Sequence, residues 1–310
     1  MFSASMKASA LKKTKNIAST VLIYGLLILL VYVILFPFIA KISASFMSVN
    51  DMFDRTVVLI PREPTLTNYR MVIAYTGYIR ALGGSFLISG ISAIAQTFIC
   101  AMTGYALAKL KSKLAGIVMF LVVLTILIPP QVILIPLFLK FRFFDIFGLL
   151  NMISGTTINM MDSVAPMTML SLTGFGLKNG LYIFVMRQFF KGVPEELEEA
   201  ALIDGYGIFN SYLKIVLPIS VPMLITIFIL AFSWQWTDTF YSGVFFSSYP
   251  VVARTTFIPP PGGGVNVNFA FQWNTLLHTG VLLAIAPVVA IFVIMQKWLV
   301  TGIERSGIVG

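Results

Sequence analysis

The chain has 310 residues, of which 58% are hydrophobic and only 11% charged, with a mean hydropathy of +0.93. A soluble globule carries roughly a quarter charged residues and a disordered chain needs low hydrophobicity, so both classes are excluded. One cysteine, Cys100, leaves no internal disulfide or thiolate metal cluster, and the formal charge of +9 must be located along the chain before it points to a partner.

Crossing about 30 Å of hydrocarbon takes roughly 20 apolar helical residues. In chain order the sequence predicts a cytoplasmic tail (1–16), a first span (17–40), an outer loop (41–80), a second span (82–108) and a third (114–139). An outer loop (140–164), a fourth span (165–188), a cytoplasmic loop (190–214) and a fifth span (215–237) follow. A last outer loop (238–275), a sixth span (276–296) and a cytoplasmic tail (297–310) complete the chain, with residues 82–300 as the core. The expected fold is therefore an all-α membrane protein with six transmembrane helices. The first apolar run exceeds a signal-peptide h-region of about 7–15 residues and ends at Phe36-Pro37-Phe38 without a small-x-small site, which predicts an uncleaved anchor.

The loops carry their own signals. Asn68–Ala74 predicts a short helix in the first outer loop, after Pro61 and Pro64. In the second, Phe141, Phe143, Phe144 and Phe147 alternate with Arg142 and Asp145, a pattern that predicts an interfacial amphipathic helix. Residues 259–264, Pro-Pro-Pro-Gly-Gly-Gly, predict a break in the third. The fourth span is interrupted by Gly174, Gly176, Lys178, Asn179 and Gly180.

Lys and Arg in short flanking segments are retained on the cytoplasmic side. Lys7, Lys12, Lys13 and Lys15 in the tail, Lys109, Lys111 and Lys113 between the second and third spans, and Arg187, Lys191 and Lys214 around the fourth-to-fifth loop all fall inside if the N-terminus is inside. In the long first outer loop, Lys41, Arg55, Arg62, Arg70 and Arg80 oppose this, partly balanced by Asp51, Asp54 and Glu63. The expected orientation is N-in and C-in at a cell (plasma or inner) membrane, the cations facing lipid and solvent, with no nucleic acid needed to explain them.

One polar island has a defined pattern. Pro194 and the acids Glu195, Glu196, Glu198 and Glu199 read as a helix start, where the macrodipole favours carboxylates; Leu197, Ala200, Ala201 and Ile203 give a narrow apolar face, and Gly205 suits the stop. Residues 208–215 predict a second short helix, followed by Pro218 and Pro222 at the next span. Physics alone leaves this as either a solvated charged loop or a docking element. The spacing Glu-Ala-Ala, three residues, Gly, nine residues, Ile-x-Leu-Pro, formed by Glu199, Ala200, Ala201, Gly205, Ile215, Leu217 and Pro218, resembles the signature of permease subunits of ATP-binding-cassette importers. Arg187-Gln188-Phe189-Phe190 and the ending from Gln296-Lys297-Trp298 are similar to the carbohydrate-uptake branch, the maltose-type second permease.

The resemblance implies a type I ABC importer permease fold forming half of a sugar or oligosaccharide pathway, in a heterodimer with a second permease. It further implies two ATP-binding subunits docked on a coupling loop and an extracytoplasmic solute-binding protein. Ala200 and Ala201 would allow close approach, Glu199 a polar contact with the ATPase, and Gly205 a sharp turn. The chain lacks a Gly-x-x-x-x-Gly-Lys-Ser/Thr loop, so it is expected to be no enzyme and to bind no cofactor, ATP and Mg being used by the partner. It departs from the family in about 16 extra residues before the fourth span, which either enlarge the outer loop or break that helix.

Candidate solute-path residues are Lys178, Asn179, Trp234, Gln235, Trp236 and Asp238. Lys178 either faces a wet cavity or snorkels to the outer surface, and the Trp234–Asp238 cluster is either an aromatic belt or a sugar-stacking lining. His278 reads as a packing residue, and Gln131 beside Pro129-Pro130 as part of a kink. A permease for a non-sugar solute is the nearer alternative. An ion-coupled secondary transporter is the remote one, since it would need intramembrane carboxylates and the acids near spans, Asp162 and Asp238, lie at their outer ends.

Overall fold

The computed structural model describes residues 2–146, 148–255 and 267–307, and their regular structure is helical apart from one isolated antiparallel bridge, Phe144 with Ile158. The chain divides into two compact units, Met1–Val72 with Pro261–Leu282, and Ile73–Pro260 with Leu283–Gly310.

In the first unit, α1 (Phe2–Ser45) exposes its Leu, Ile, Val and Phe side chains on every face from Ile17 to Ile39. A helix apolar all round is at home in lipid. Its polar end is knotted by Asn68, buried at the start of α3 (Thr67–Thr76), whose Nδ2 donates to the Ser45 and Met47 carbonyls at 2.9 Å each. Ser48 caps the short α2 (Val49–Phe53) by accepting from the Asp51 N–H, and the buried Asp51 carboxylate accepts from the Glu63 N–H at 3.0 Å. Every buried polar group here has a partner from a neighbouring turn, which orders a loop rich in proline and charge.

The second unit is organised on α4 (Tyr78–Lys109), against which α8 (Ala165–Leu172), α9 (Asn179–Lys191) and α13 (Val221–Trp236) pack. The faces of α4 carry Ser85, Ser89, Ser92, Ala93, Ala101 and Gly104, all buried. Helices in lipid gain little from burying apolar area and associate instead by close approach of small residues. Gly104 is one such close approach: a Cβ there would lie 2.6 Å from Met186 Cβ of α9. One apolar cluster, including Tyr182, Met186, Phe190, Ile227, Phe232 and Trp236, fills the groove between α4, α9 and α13.

Three helical stretches among the described residues are long and apolar enough to cross a membrane alone: Ser19–Ser45, Tyr78–Lys109, and Trp273–Val300 within α16 (Val267–Gly307). Two bent pairs raise the number to five. The segment 114–139, expected as one span, is instead α5 (Lys113–Leu127) and α6 (Pro130–Arg142), bent by 99°. Pro129 and Pro130 cause this, because neither can donate to the helical ladder and each disfavours helix in the residue before it. Residues 215–237 are likewise divided: Ile208–Ile219 meets α13 at 76°. The fourth segment is broken into α8 and α9 by a turn in which Gly174 and Lys178 have φ of 82° and 62°.

The interfacial helix expected from Phe141 to Phe147 does not form. Phe141 and Phe144 are buried with Met167, Leu170 and Phe245, and the Phe144–Ile158 bridge, with N–O distances of 2.9 and 3.0 Å, pulls the chain out of helix; Phe147 lies outside the described residues. The helix in this loop is α7 (Leu149–Ser154), whose first N–H groups are met by the Asp145 carboxylate at 2.8 Å to Leu150 and 3.3 Å to Asn151. Residues 259–264 also lie outside the described residues. Asp162 accepts from the N–H groups of Ser247, Ser248 and Tyr249 at 2.6, 2.7 and 3.1 Å, and from the Ser247 hydroxyl. The Ser247 hydroxyl, followed by those backbone donors, holds the Asp162 carboxyl well below the ordinary carboxylate range.

Candidate functional site

The polar island folds as a helix pair. α10 (Glu195–Ile203) starts at Pro194 and carries Glu195, Glu196 and Glu198 in its first turn, where its dipole stabilises them. It closes with the Tyr206 N–H donating to the Ala201 carbonyl at 2.9 Å and the Gly205 N–H to Leu202 at 3.1 Å, Gly205 taking φ of 85°. That conformation costs other residues about 1–2 kcal/mol, which is why glycine sits there. The return leg is α11 (Ile208–Ser211), a π-helical turn (Tyr212–Val216) and α12 (Leu217–Ile219), with Pro218 in the first turn of α12 where no N–H is missed.

Within the motif the side chains sort by face. Ala201 is 1% exposed and packs inward, Ile215 and Leu217 are half-buried, and Glu199, Ala200, Gly205 and Pro218 are exposed. Beside them Ile203, Ile208 and Phe209, which flank the Gly205 turn, stand 86%, 71% and 63% exposed. Large apolar groups displayed together on a polar loop mark an interaction surface.

The opposite face of α10 is tied to the end of α4. Lys109 Nζ lies 2.8 Å from Glu198 Oε1, the Tyr105 hydroxyl donates to Glu198 Oε2 at 3.1 Å, and Lys111 pairs with Glu195 at 3.3 Å. Lys109 and Glu198 are only 19% and 18% exposed, whereas Lys111 and Glu195 are open to solvent. Composition marks these lysines as orienting charges and cannot reveal this role, because the partners stand far apart in sequence. Arg187 of α9 adds a bond from Nε to the Leu107 carbonyl at 3.1 Å.

The solute-path candidates come together only in part. Lys178, the first residue before α9, places Nζ 4.8 Å from the centre of the Trp234 ring. Asn179 is buried, its Nδ2 donating to the Ser171 carbonyl at 3.0 Å. Gln235 is buried, and Trp236 is in the core with its Nε1 donating to the Ala284 carbonyl at 2.8 Å. Asp238 caps α14 (Phe240–Phe245), accepting from the N–H groups of Phe240, Tyr241 and Ser242 at 3.1, 3.2 and 2.8 Å. Burial nevertheless raises its carboxyl above the ordinary value, outweighing those bonds. In the first unit, His278 Nδ1 lies 3.3 Å from Lys41 Nζ.

Helices long and apolar enough to cross a membrane, and an exposed polar helix pair, fit a membrane-embedded transport component. The chain belongs to the family described as binding-protein-dependent transport system inner membrane component, which it matches over residues 98–305. It is 31% identical over 205 residues (65% of this chain, 67% of the other) to a probable starch degradation products transport system permease protein of Thermoanaerobacterium thermosulfurigenes. It is 28% identical, over 89% of both chains, to a sulfoquinovosyl glycerol transport system permease protein of Agrobacterium fabrum. An arabinooligosaccharides transport system permease protein of Halalkalibacterium halodurans is 26% identical over 96% of this chain and 99% of its own. The fold is similar to a chain in the crystal structure of a bacterial ABC transporter involved in the import of the acidic polysaccharide alginate, with a TM-score of 0.69 at 22% identity, covering 90% of this chain and 97% of that one.

Proposed function

We propose that the chain forms one half of the pathway of a sugar or oligosaccharide importer, paired with a second permease, driven by two ATP-binding subunits and fed by a solute-binding protein. In this reading six spans run with both termini inside, and the α10–α11 loop lies in the cytoplasm beside the lysines of the 109–113 connection. The observation that carries the reading is the exposed Ile203, Ile208 and Phe209 around Gly205, with Glu199 and Ala200 on the open side of α10. This surface docks on an ATPase subunit, which alone binds ATP and Mg. The relatives' transport systems, named for starch degradation products, sulfoquinovosyl glycerol and arabinooligosaccharides, support a saccharide as the cargo.

The test is purification of the tagged chain from its native membrane. It is expected to bring down a second permease and two ATPase copies, and to support ATP-driven saccharide uptake in proteoliposomes. Ile203→Asp is expected to release the ATPases while the second permease stays bound. Recovery of the chain without an ATPase, or ATPase retention by Ile203→Asp together with Phe209→Asp, would refute the docking surface.

A further inference from the structure

We propose that the break between α8 and α9 is a binding site for a carboxylate or sulfonate of the transported saccharide, Lys178 holding the anion and Trp234 the sugar ring. The proposal rests on the importer reading above and names a substrate class within it. Its first support is depth. The break sits against Gln96 of α4: Gln96 Nε2 donates to Ser171 Oγ at 3.3 Å, and a Cβ on Gly176 would lie 3.0 Å from the same nitrogen. Gln96 is 13 residues from Lys109 and 18 from Tyr78, the two ends of α4. At 1.5 Å per residue these are about 20 and 27 Å, together longer than the roughly 30 Å of hydrocarbon, so a helix that spans it keeps the break within the membrane.

A lysine within the hydrocarbon is costly unless it meets water or an anion. Lys178 is exposed and, among the described residues, no carboxylate is within ion-pair distance of it; its recorded partner is the face of Trp234, itself 48% exposed. A cation–π contact returns only part of that cost. An exposed cation that is not neutralised by its own subunit belongs on a face closed to lipid and open to solute.

The backbone agrees. Lys178 holds φ of 62°, a conformation that favours glycine, so a charged side chain is kept at a position that works against it. It also opens α9, whose first turn has no side-chain cap, so the positive end of a 13-residue helix coincides with the ammonium. Broken helices in transporters present such ends to anionic substrate groups. Gln96 and Asn179, both buried beside the break, direct their amide N–H groups to Ser171, so the turn is held in place by polar contacts. A neutral sugar would stack on Trp234 and leave the charge unmatched, whereas a uronate or sulfonated sugar satisfies both groups at once.

The experiment uses the complete reconstituted transporter with its binding protein and follows ATP-driven uptake of trigalacturonate and trimannuronate, each beside its carboxyl-reduced neutral counterpart. The expected result is uptake of an acidic probe at least 10-fold faster than its neutral form. Lys178→Met is expected to lower that ratio at least 10-fold, Lys178→Arg to preserve it, and Trp234→Ala to slow both forms. Uptake of only the neutral probes overturns the anion site and keeps the importer reading, whereas uptake of none overturns both. An unchanged ratio in Lys178→Met, or loss of the second permease from that variant's purified complex, would also overturn it, the latter by assigning Lys178 to a partner's carboxylate.

Discussion

Glu198 is expected to hold α10 in place, and its loss to free the α10–α11 loop without removing any group from the exposed face. The perturbation is Glu198→Gln, which keeps shape and removes charge. An exposed ion pair contributes about 0–1 kcal/mol, while breaking a fully buried one costs about 3–5. With both side chains about one-fifth exposed, a 2.8 Å separation and the Tyr105 hydroxyl as a second donor, the cost lies between these limits, near 2 kcal/mol. At 1.4 kcal/mol per decade that is about a 30-fold rise in local opening of α10. Hydrogen exchange of residues 194–204 in the assembled transporter reads the opening directly, and ATP hydrolysis without solute reads its consequence, which is expected to rise relative to solute-driven hydrolysis. Charge exchange, Lys109→Glu with Glu198→Lys, is expected to recover part of the protection. Unchanged exchange in Glu198→Gln would refute the anchor, as would an equal effect from Glu196→Gln, whose carboxylate is exposed and makes no such pair.

Three further outcomes follow from named contacts. Gly205→Ala is expected to cost about 1–2 kcal/mol of loop stability through its φ of 85° alone, since a Cβ there meets nothing within 4 Å; Gly205→Asp should keep membrane insertion and lower uptake per ATP hydrolysed, measured in proteoliposomes. Gly104→Leu is expected to prevent normal packing of α4 on α9, because even a Cβ would approach Met186 Cβ to 2.6 Å, and the loss is read as reduced yield of monodisperse complex. Asp162 has a carboxyl depressed in the folded state, so the stability it gives is present above about pH 3.9 and lost as pH falls through its lower folded value. Exchange protection of the Ser247–Tyr249 amides, corrected for intrinsic rate, should fall below about pH 4. In Asp162→Asn, which tolerates the same backbone, it should be low throughout and lack that transition.

The helices α1, α4 and α16 were legible because a charge-free run of 20 or more residues has few other solutions in a folded protein. The α10 loop was legible because its start, stop and re-entry each depend on a local residue: Pro194, Gly205, Pro218. The interrupted fourth segment was also readable, since glycines with a lysine and an asparagine cannot continue an apolar helix in lipid. What the sequence concealed is long-range. Phe141 and Phe144 look interfacial by spacing, yet their fate is decided by Ile158, Met167 and Phe245, which no local window contains. Asp238 looks like a sugar ligand by residue type, and only the α14 N–H groups reveal it as a cap. The four clustered glutamates look equivalent, and the fold separates them: Glu195 and Glu198 turn to Lys111 and Lys109, leaving Glu196 and Glu199 on the open side.

That separation bears on how the loop and the broken helix can communicate. Lys109 is the last residue of α4, and Gln96, which bonds Ser171 at the break, is in the middle of the same helix about 20 Å away. α4 runs unbroken between them and is packed too closely against α9 at Gly104 to slide past it freely. α5–α6 and α11–α13, by contrast, are bent by 99° and 76° and can absorb a displacement at their hinges. A movement imposed on α10 can therefore pass through the Lys109–Glu198 pair into α4, and from Gln96 to the turn that carries Lys178, as well as along α9, which joins that turn to α10. Shortening that route at Glu198 should change solvent access at residue 178, whereas a substitution at Glu199, on the face away from α4, should change ATPase contact and leave that access as it was.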